Sequence, residues 1–154
     1  MIRTIVIADT GAAMAQVTEL LNEGGNVELV RYAGGRCDVE ALVRAHRPDL
    51  VIIDEVRPRL ALARIAEARR AAPGCAVIAL AAWSTAGWLA EALRVGAAAV
   101  LPADVSAGTL HVVIGEVLDA PEPEVATVHE LHPHVPKVIA TSPLGSATTE
   151  GSAA

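Results

Sequence analysis

The chain predicts an α/β fold built as a doubly wound parallel sheet, on three observations. Five short apolar runs alternate with five stretches of helical spacing. The first, third and fourth runs are nearly continuous in Ile, Val, Leu and Ala, the pattern of strands covered on both faces. Parallel strands joined through helices need right-handed crossovers, and these put helices on both sides of one sheet.

Each element has its own signal. The predicted strands are Ile2–Ala8, Val27–Tyr32, Leu50–Ile53, Ala76–Ala81 and Ala98–Leu101. The first helix shows the stripe Met14, Val17, Leu20 and Leu21, and Gly24-Gly25 stops it. The second carries Val39, Leu42 and Val43 and ends before His46-Arg47-Pro48. The third is read from Leu62, Ile65, Ala66 and Arg69, ahead of Pro73-Gly74. Trp88, Leu89, Ala92 and Leu93 mark the fourth, closed by Gly96. Leu110, Val113, Ile114, Val117 and Leu118 mark the fifth, with Ser106 as its N-cap.

Composition bounds the function. A length of 154 residues and 53% hydrophobic content suit one domain, residues 1–119, with an appendage, residues 120–154. The aromatic residues are only Trp83, Trp88 and Tyr32, so the core is filled by aliphatic side chains and alanine. A net charge of −6, with Arg scattered along helices, argues against a nucleic-acid surface. Cys37 and Cys75 fit no disulfide framework or metal spacing, which suits reduced thiols in the cytoplasm. The opening MIRTIVIADT reads as a strand rather than a targeting segment, and no apolar run is long enough to span a membrane. Residues 120–154 read as a Pro/Ser/Thr/Gly-rich flexible tail, in which 136–141 would form a strand only if paired.

Chemistry in an open parallel sheet collects at the carboxyl ends of the strands. Here those ends deliver Asp9, Asp54, Ala81-Ala82 and Ala103-Asp104. Asp54 closes the central run in PDLVIIDEVRP. Transfer of phosphoryl to such a carboxylate needs a divalent cation on oxygen ligands and a positive side chain nearby. Asp9, Asp54 and the Val56 carbonyl are the candidate ligands for Mg²⁺, a weak set that makes half an octahedron. Glu55 adds like charge beside Asp54, and whether the two repel is left open by the sequence.

The stretches AHRPDLVIIDEVRP and EALRVGAAAVLPADVS, with Pro58 four residues after Asp54 and the pair Gly96-Ala97, resemble the receiver domains of response regulators. The resemblance covers residues 2–118. It implies the CheY-like (flavodoxin-like) strand order 2-1-3-4-5 with five helices, and Asp54 as phosphoacceptor. It also implies a second acidic residue where Thr10 stands, a Ser or Thr at Ala81 and a Lys at Ala103. Those positions are degenerate here, so the resemblance is to an atypical receiver. The end of the chain is faintly similar to the opening of MinD/ParA-class ATPase domains, whose pilus-assembly members carry an atypical receiver in front. However, Leu144–Thr149 lacks the glycines and lysine of a phosphate loop.

Further marks carry two readings each. Trp83 and Trp88 stand at the start of the fourth helix, either as a contact surface or as core and cover for the pocket. Leu110, Val113 and Val117 join them as interface candidates. His129, His132 and His134 have a metal-like spacing that no Cys or carboxylate cluster completes. The leading expectation is a non-enzymatic interaction module that works without phosphorylation, as a homodimer across the fourth and fifth helices. The alternatives are a weak Mg²⁺-dependent switch phosphorylated at Asp54 and a small-ligand binder using the vacated pocket.

Overall fold

Runs of aliphatic residues that cannot be left in water pair side by side, and their connections are long enough only for crossovers. The computed structural model describes residues 1–34 and 36–119. In chain order the elements are β1 (Ile2–Ala8), α1 (Gly11–Asn22), β2 (Val27–Ala33), α2 (Val39–His46), β3 (Leu50–Asp54), α3 (Pro58–Ala71), β4 (Ala76–Ala81), α4 (Ala86–Arg94), β5 (Ala99–Pro102) and α5 (Ala107–Asp119). All neighbouring strands are parallel, in the order β2-β1-β3-β4-β5, which is the order the resemblance implied.

The strands expected to be covered on both faces are so: Thr4–Ala8, Leu50–Ile53 and Val77–Ala81 are buried without a break. The edge strand β2 instead exposes Glu28, Arg31 and Tyr32. Val17 and Leu21 of α1 with Leu110 and Ile114 of α5 pack on one face, against Val6, Ile52, Ile78 and Leu101. The alternate residues Ile5, Ile7, Val51, Ile53 and Val77 turn to the other face, where α2, α3 and α4 lie together. No aromatic side chain is fully buried, so the core is aliphatic as composition required.

Polar side chains fix where the helices begin. Asp38, Thr85 and Ser106 accept from the backbone N–H groups of Ala41, Trp88 and Thr109 at 3.1, 3.1 and 3.2 Å. Ser106 therefore caps α5 as its sequence position predicted. Gly96, at φ +124°, turns the chain out of α4 in a conformation closed to other residues; a Cβ there would lie 2.4 Å from Cγ of Arg69.

Five expectations are corrected. β5 begins and ends one residue later than predicted, and β3 runs on to include Asp54. The buried stripe of α3 is Ala61, Arg64, Ile65 and Ala68, offset from the predicted one, because an alanine-rich helix offers two faces of similar apolarity. Trp83 lies in the bend before α4, not in its first turn. Leu110 is 0% exposed and belongs to the core, so it cannot form a surface contact. The readings for residues 120–154, including the flexible tail, the three histidines and the 136–141 strand, lie outside the described residues.

Burial pushes the Cys75 thiol up to about 12; Asp49 adds to this and Arg69 opposes it. Cys37 is half-buried and its sulfur accepts from Nη1 of Arg64 at 3.0 Å. A maleimide titration of the native protein at about pH 8 should therefore label Cys37 at least about tenfold faster than Cys75. Equal rates would mean that the strand-end packing around Cys75 is loose.

Candidate functional site

The carboxyl ends of β1 and β3 are neighbours because Ala8 registers with Asp54. The backbone N–H of Asp9 donates to the Asp54 carbonyl at 3.2 Å, which ties the two acidic positions together. On the far side of β3, Asp54 registers with Leu80 of β4. Ala81 ends β4 and is 8% exposed, and its carbonyl accepts from the Ala103 N–H at 3.3 Å. The two positions where the resemblance expects a hydroxyl and an ammonium are thus brought together, and they contribute methyl groups. Thr10, where it expects a second acid, caps α1 by accepting from Ala13 N–H at 3.1 Å.

The open question about Glu55 has a geometric answer. Its side chain is buried, 3% exposed, and two guanidinium groups neutralise it. Arg57 donates to it from Nε at 3.0 Å, from Nη2 at 3.2 Å and from its backbone N–H at 3.2 Å. Arg64 also approaches it, with Nε 3.5 Å from Oε1. Burial alone would raise the Glu55 carboxyl, but the Arg57 hydrogen bonds and the charges of Arg57 and Arg64 outweigh it and hold it below the usual range.

Arg57 does more than neutralise its neighbour. Its Nη2 also reaches across to Oδ1 of Asp9 at 2.8 Å, so one guanidinium joins the β1 end to the loop after β3. Val56, between Asp54 and Arg57, turns its side chain outward, 54% exposed. Asp54 is left as the open carboxylate of the cluster: among the described residues no side chain or backbone donor is paired with it. Burial, Glu55 and Asp9, in that order, push its carboxyl above the usual range.

Does this cluster fit a divalent cation? Asp9, one of its two candidate carboxylates, already holds a guanidinium. Among the described residues no group of three His, Cys, Asp or Glu side chains converges as a metal would require. The residues present do not fit Mg²⁺; a fixed organic cation carries the positive charge instead.

The rim of this end of the sheet is aromatic, in the loop after β4 and the first turn of α4. Trp83 and Trp88 meet edge to face, with ring centres 4.7 Å apart and planes at 83°. Trp88 Nε1–H donates to the Pro58 carbonyl at 3.0 Å. Trp83 Nε1 is buried without a hydrogen-bond partner among the described residues. Two cavities, of about 460 and 590 Å³, lie elsewhere: one between the ends of α2 and α3, the other between α1 and β2.

Sequence reasoning named Asp9, Asp54, Val56, Thr10, Ala81 and Ala103, and the fold gathers all of them at one end of the sheet. It missed Arg57 and Arg64. A visible signal existed for Arg64, an arginine sharing a helix face with Ala61, Ile65 and Ala68. Such a buried charge demands a partner.

No family model matches the chain, and no curated protein matches it. Solved structures do match. The signal receiver domain of NarL from Mycobacterium tuberculosis superposes with a TM-score of 0.69 at 24% identity, over 78% of this chain and 98% of that one. The response regulator domain of CheB from Thermotoga maritima gives 0.68 at 18% identity, over 79% and 98%. A pilus assembly protein, CpaE, from Burkholderia thailandensis gives 0.63 at 22% identity, over 78% and 100%. With its five parallel strands in the order 2-1-3-4-5 and its five helices, this chain has the CheY-like fold of response-regulator receiver domains.

Proposed function

We propose that the chain is a regulatory, non-enzymatic interaction module of receiver fold that works without a phosphorylation cycle. The observation that carries this reading is Arg57, whose guanidinium lies between Asp9 and Glu55 and supplies the positive charge that a phosphoryl-transfer site takes from a metal. Ala81 and Ala103 support it, since neither can hold a phosphoryl oxygen. The partner is a second copy of the chain, meeting it across α4 and α5. Val112 on α5, 61% exposed, is the exposed large apolar residue of those two helices, and Val113, Val117, Trp83 and Trp88 are half-buried. Likeness to a pilus assembly protein favours a role in positioning an assembly. Among the described residues no helix is long and apolar enough to cross a membrane.

Asp54→Asn tests the reading. Self-association measured by sedimentation should match wild type, and amide NMR shifts in Mg²⁺ with beryllofluoride should stay flat in both proteins. The substitution should also stabilise the fold near neutral pH. A carboxyl whose native value is raised adds stability only while protonated, and that contribution is lost as pH rises through the native value. Asparagine keeps the uncharged form, so the advantage should vanish in acid. A saturable shift in wild type that Asp54→Asn abolishes would overturn the proposal. A chain that stays monomeric would remove the second copy as partner.

That overturning result would establish the second reading, a weak phospho-switch. The observation favouring it is the open, half-buried Asp54 carboxylate at the end of β3. The small-ligand reading gains nothing from the cavities, neither of which is lined by Asp54, Ala81 or Ala103.

A further inference from the structure

The opposite end of the sheet, at the amino ends of β3 and β4, gathers charge of the other sign. The chain carries a net −6, yet α2 and α3 close there with Arg44, Arg47, Arg69 and Arg70. Glu40 answers part of that charge, and Arg70 holds it, with Nε and Nη2 at 2.8 and 2.7 Å from Oε2. Arg44 reaches only the other oxygen, Oε1, at 3.3 Å, the looser of the two contacts. Arg69 donates to the carbonyls of Pro73 and Cys75 rather than to an acid. Asp49 accepts from the Arg3 backbone N–H at 2.9 Å. Arg47 differs from all of these. Its φ of +46° and ψ of 62° lie in the left-handed region, where glycine or asparagine would end a helix at lower cost. Its guanidinium has no hydrogen-bond or ion-pair partner among the described residues. With Arg44 it lines a cavity of about 460 Å³, whose walls also include Val43, Pro48, Ala71 and Cys75 and no acidic side chain. The helix-end carbonyls of Val43, Ala68 and Ala72, which would repel an anion, are taken by the N–H groups of Arg47, Ala72 and Cys75.

We propose that this cavity binds a phosphate monoester carrying a short apolar chain, with Arg44 and Arg47 on the phosphate and the chain against Val43, Pro48 and Ala71. Two guanidinium groups suit a doubly charged head with several acceptor oxygens. A volume of about 460 Å³ lies within the range of small-molecule sites. Arg70 keeps Glu40 neutralised when Arg44 turns from it to the ligand. The left-handed backbone at residue 47 is then kept for its side chain: glycine would relieve the strain and bring no charge. The site shares no residue with the Asp54 cluster and needs no metal.

Calorimetric titration of the full chain with hexyl phosphate, in a phosphate-free buffer of low salt, tests the site. Wild type should saturate with a Kd below about 1 mM. Inorganic phosphate should bind at least about tenfold more weakly, because it leaves the apolar walls in water. Hexanoate should bind about threefold more weakly, having one charge for two arginines. Arg47→Gly should lose at least about tenfold in affinity for hexyl phosphate while raising the Tm of the free chain by about 2–5 °C. Arg44→Gln should lose about threefold. Arg47→Asn, which also suits the left-handed backbone, serves if Arg47→Gly does not fold. No saturation of wild type by about 10 mM hexyl phosphate would overturn the proposal. So would wild-type affinity in the Arg47 variants, which would place any binding elsewhere. Inorganic phosphate binding as tightly as hexyl phosphate would overturn the apolar part of the site, and hexanoate doing so would overturn the phosphate. None of these results bears on self-association or on Asp54, so the two proposals fail separately.

Discussion

Replacing Glu55 by alanine should lower the free energy of unfolding by about 3 kcal/mol, although Glu55 lies in a loop outside every regular element. The cost comes from what remains behind. Arg64 is 4% exposed and faces Glu55 from the buried side of α3, so removing the carboxylate takes away an anion that offsets its charge in the interior. Arg57 loses the partner that holds the start of α3, a helix with no side-chain cap of its own. Glu55→Gln, which keeps shape and one acceptor, should cost less, about 1–2 kcal/mol. A joint change, Glu55→Leu with Arg64→Met, should recover most of the loss, because it removes both buried charges at once. The pH dependence has a definite sign. A carboxyl held below its ordinary value adds stability above that value, 4.5 for glutamate, and the addition is lost as pH falls through the native one. Chemical denaturation should thus find wild type and Glu55→Ala converging in acid. A difference under about 1 kcal/mol at neutral pH would show that the buried pair merely breaks even.

The other large effect is a gain. The combination R57A, A81T and A103K should turn a flat response to Mg²⁺ with beryllofluoride into a saturable one, read from amide shifts around Asp54. It should also raise the rate of phosphorylation by a small phosphodonor by at least about 10³-fold. R57A frees Asp9 for the metal, A81T supplies a hydroxyl at the end of β4, and A103K supplies the missing positive charge after β5. Each is worth little alone, since groups that act on one transition state are far from additive. Adding D54N should return the variant to silence. If the triple variant stays flat, the backbone of the cleft has drifted too far for side chains to restore it, and the likeness to working receivers ends at the fold.

Much of this molecule was legible in its sequence because the deciding forces are local. Uninterrupted aliphatic runs announced β1, β3 and β4, Ser106 announced the start of α5, and Gly24-Gly25 and Gly96 announced the ends of α1 and α4. The strand order makes β1 and β3 neighbours, and their register puts Ala8 beside Asp54. The decisive features of the site were not legible, because they depend on pairs distant in the chain. Arg57 and Asp9 are 48 residues apart, and Trp88 and Pro58 are 30 apart. Nothing in either local sequence distinguishes a solvated arginine from one that bridges two carboxylates. Periodicity also fails where composition is uniform. In α3 the alanines make two faces almost equal, and the face that is buried brings Arg64 to Glu55. Leu110 went astray for the opposite reason: a stripe on α5 tells which residues are apolar, not which of them the sheet has already covered.

The placement of the few aromatic side chains has a consequence for how this protein must be observed. Both indoles sit half-buried at the rim of the sheet's carboxyl end and Tyr32 stands 62% exposed on the edge strand, so no chromophore reports from within the aliphatic core. Intrinsic fluorescence during heating will time the parting of Trp83 from Trp88 and of Trp88 from Pro58, whereas the far-ultraviolet signal will time the loss of the sheet. Where those two curves separate, the gap between them is the temperature range over which the rim has opened and the fold beneath it persists.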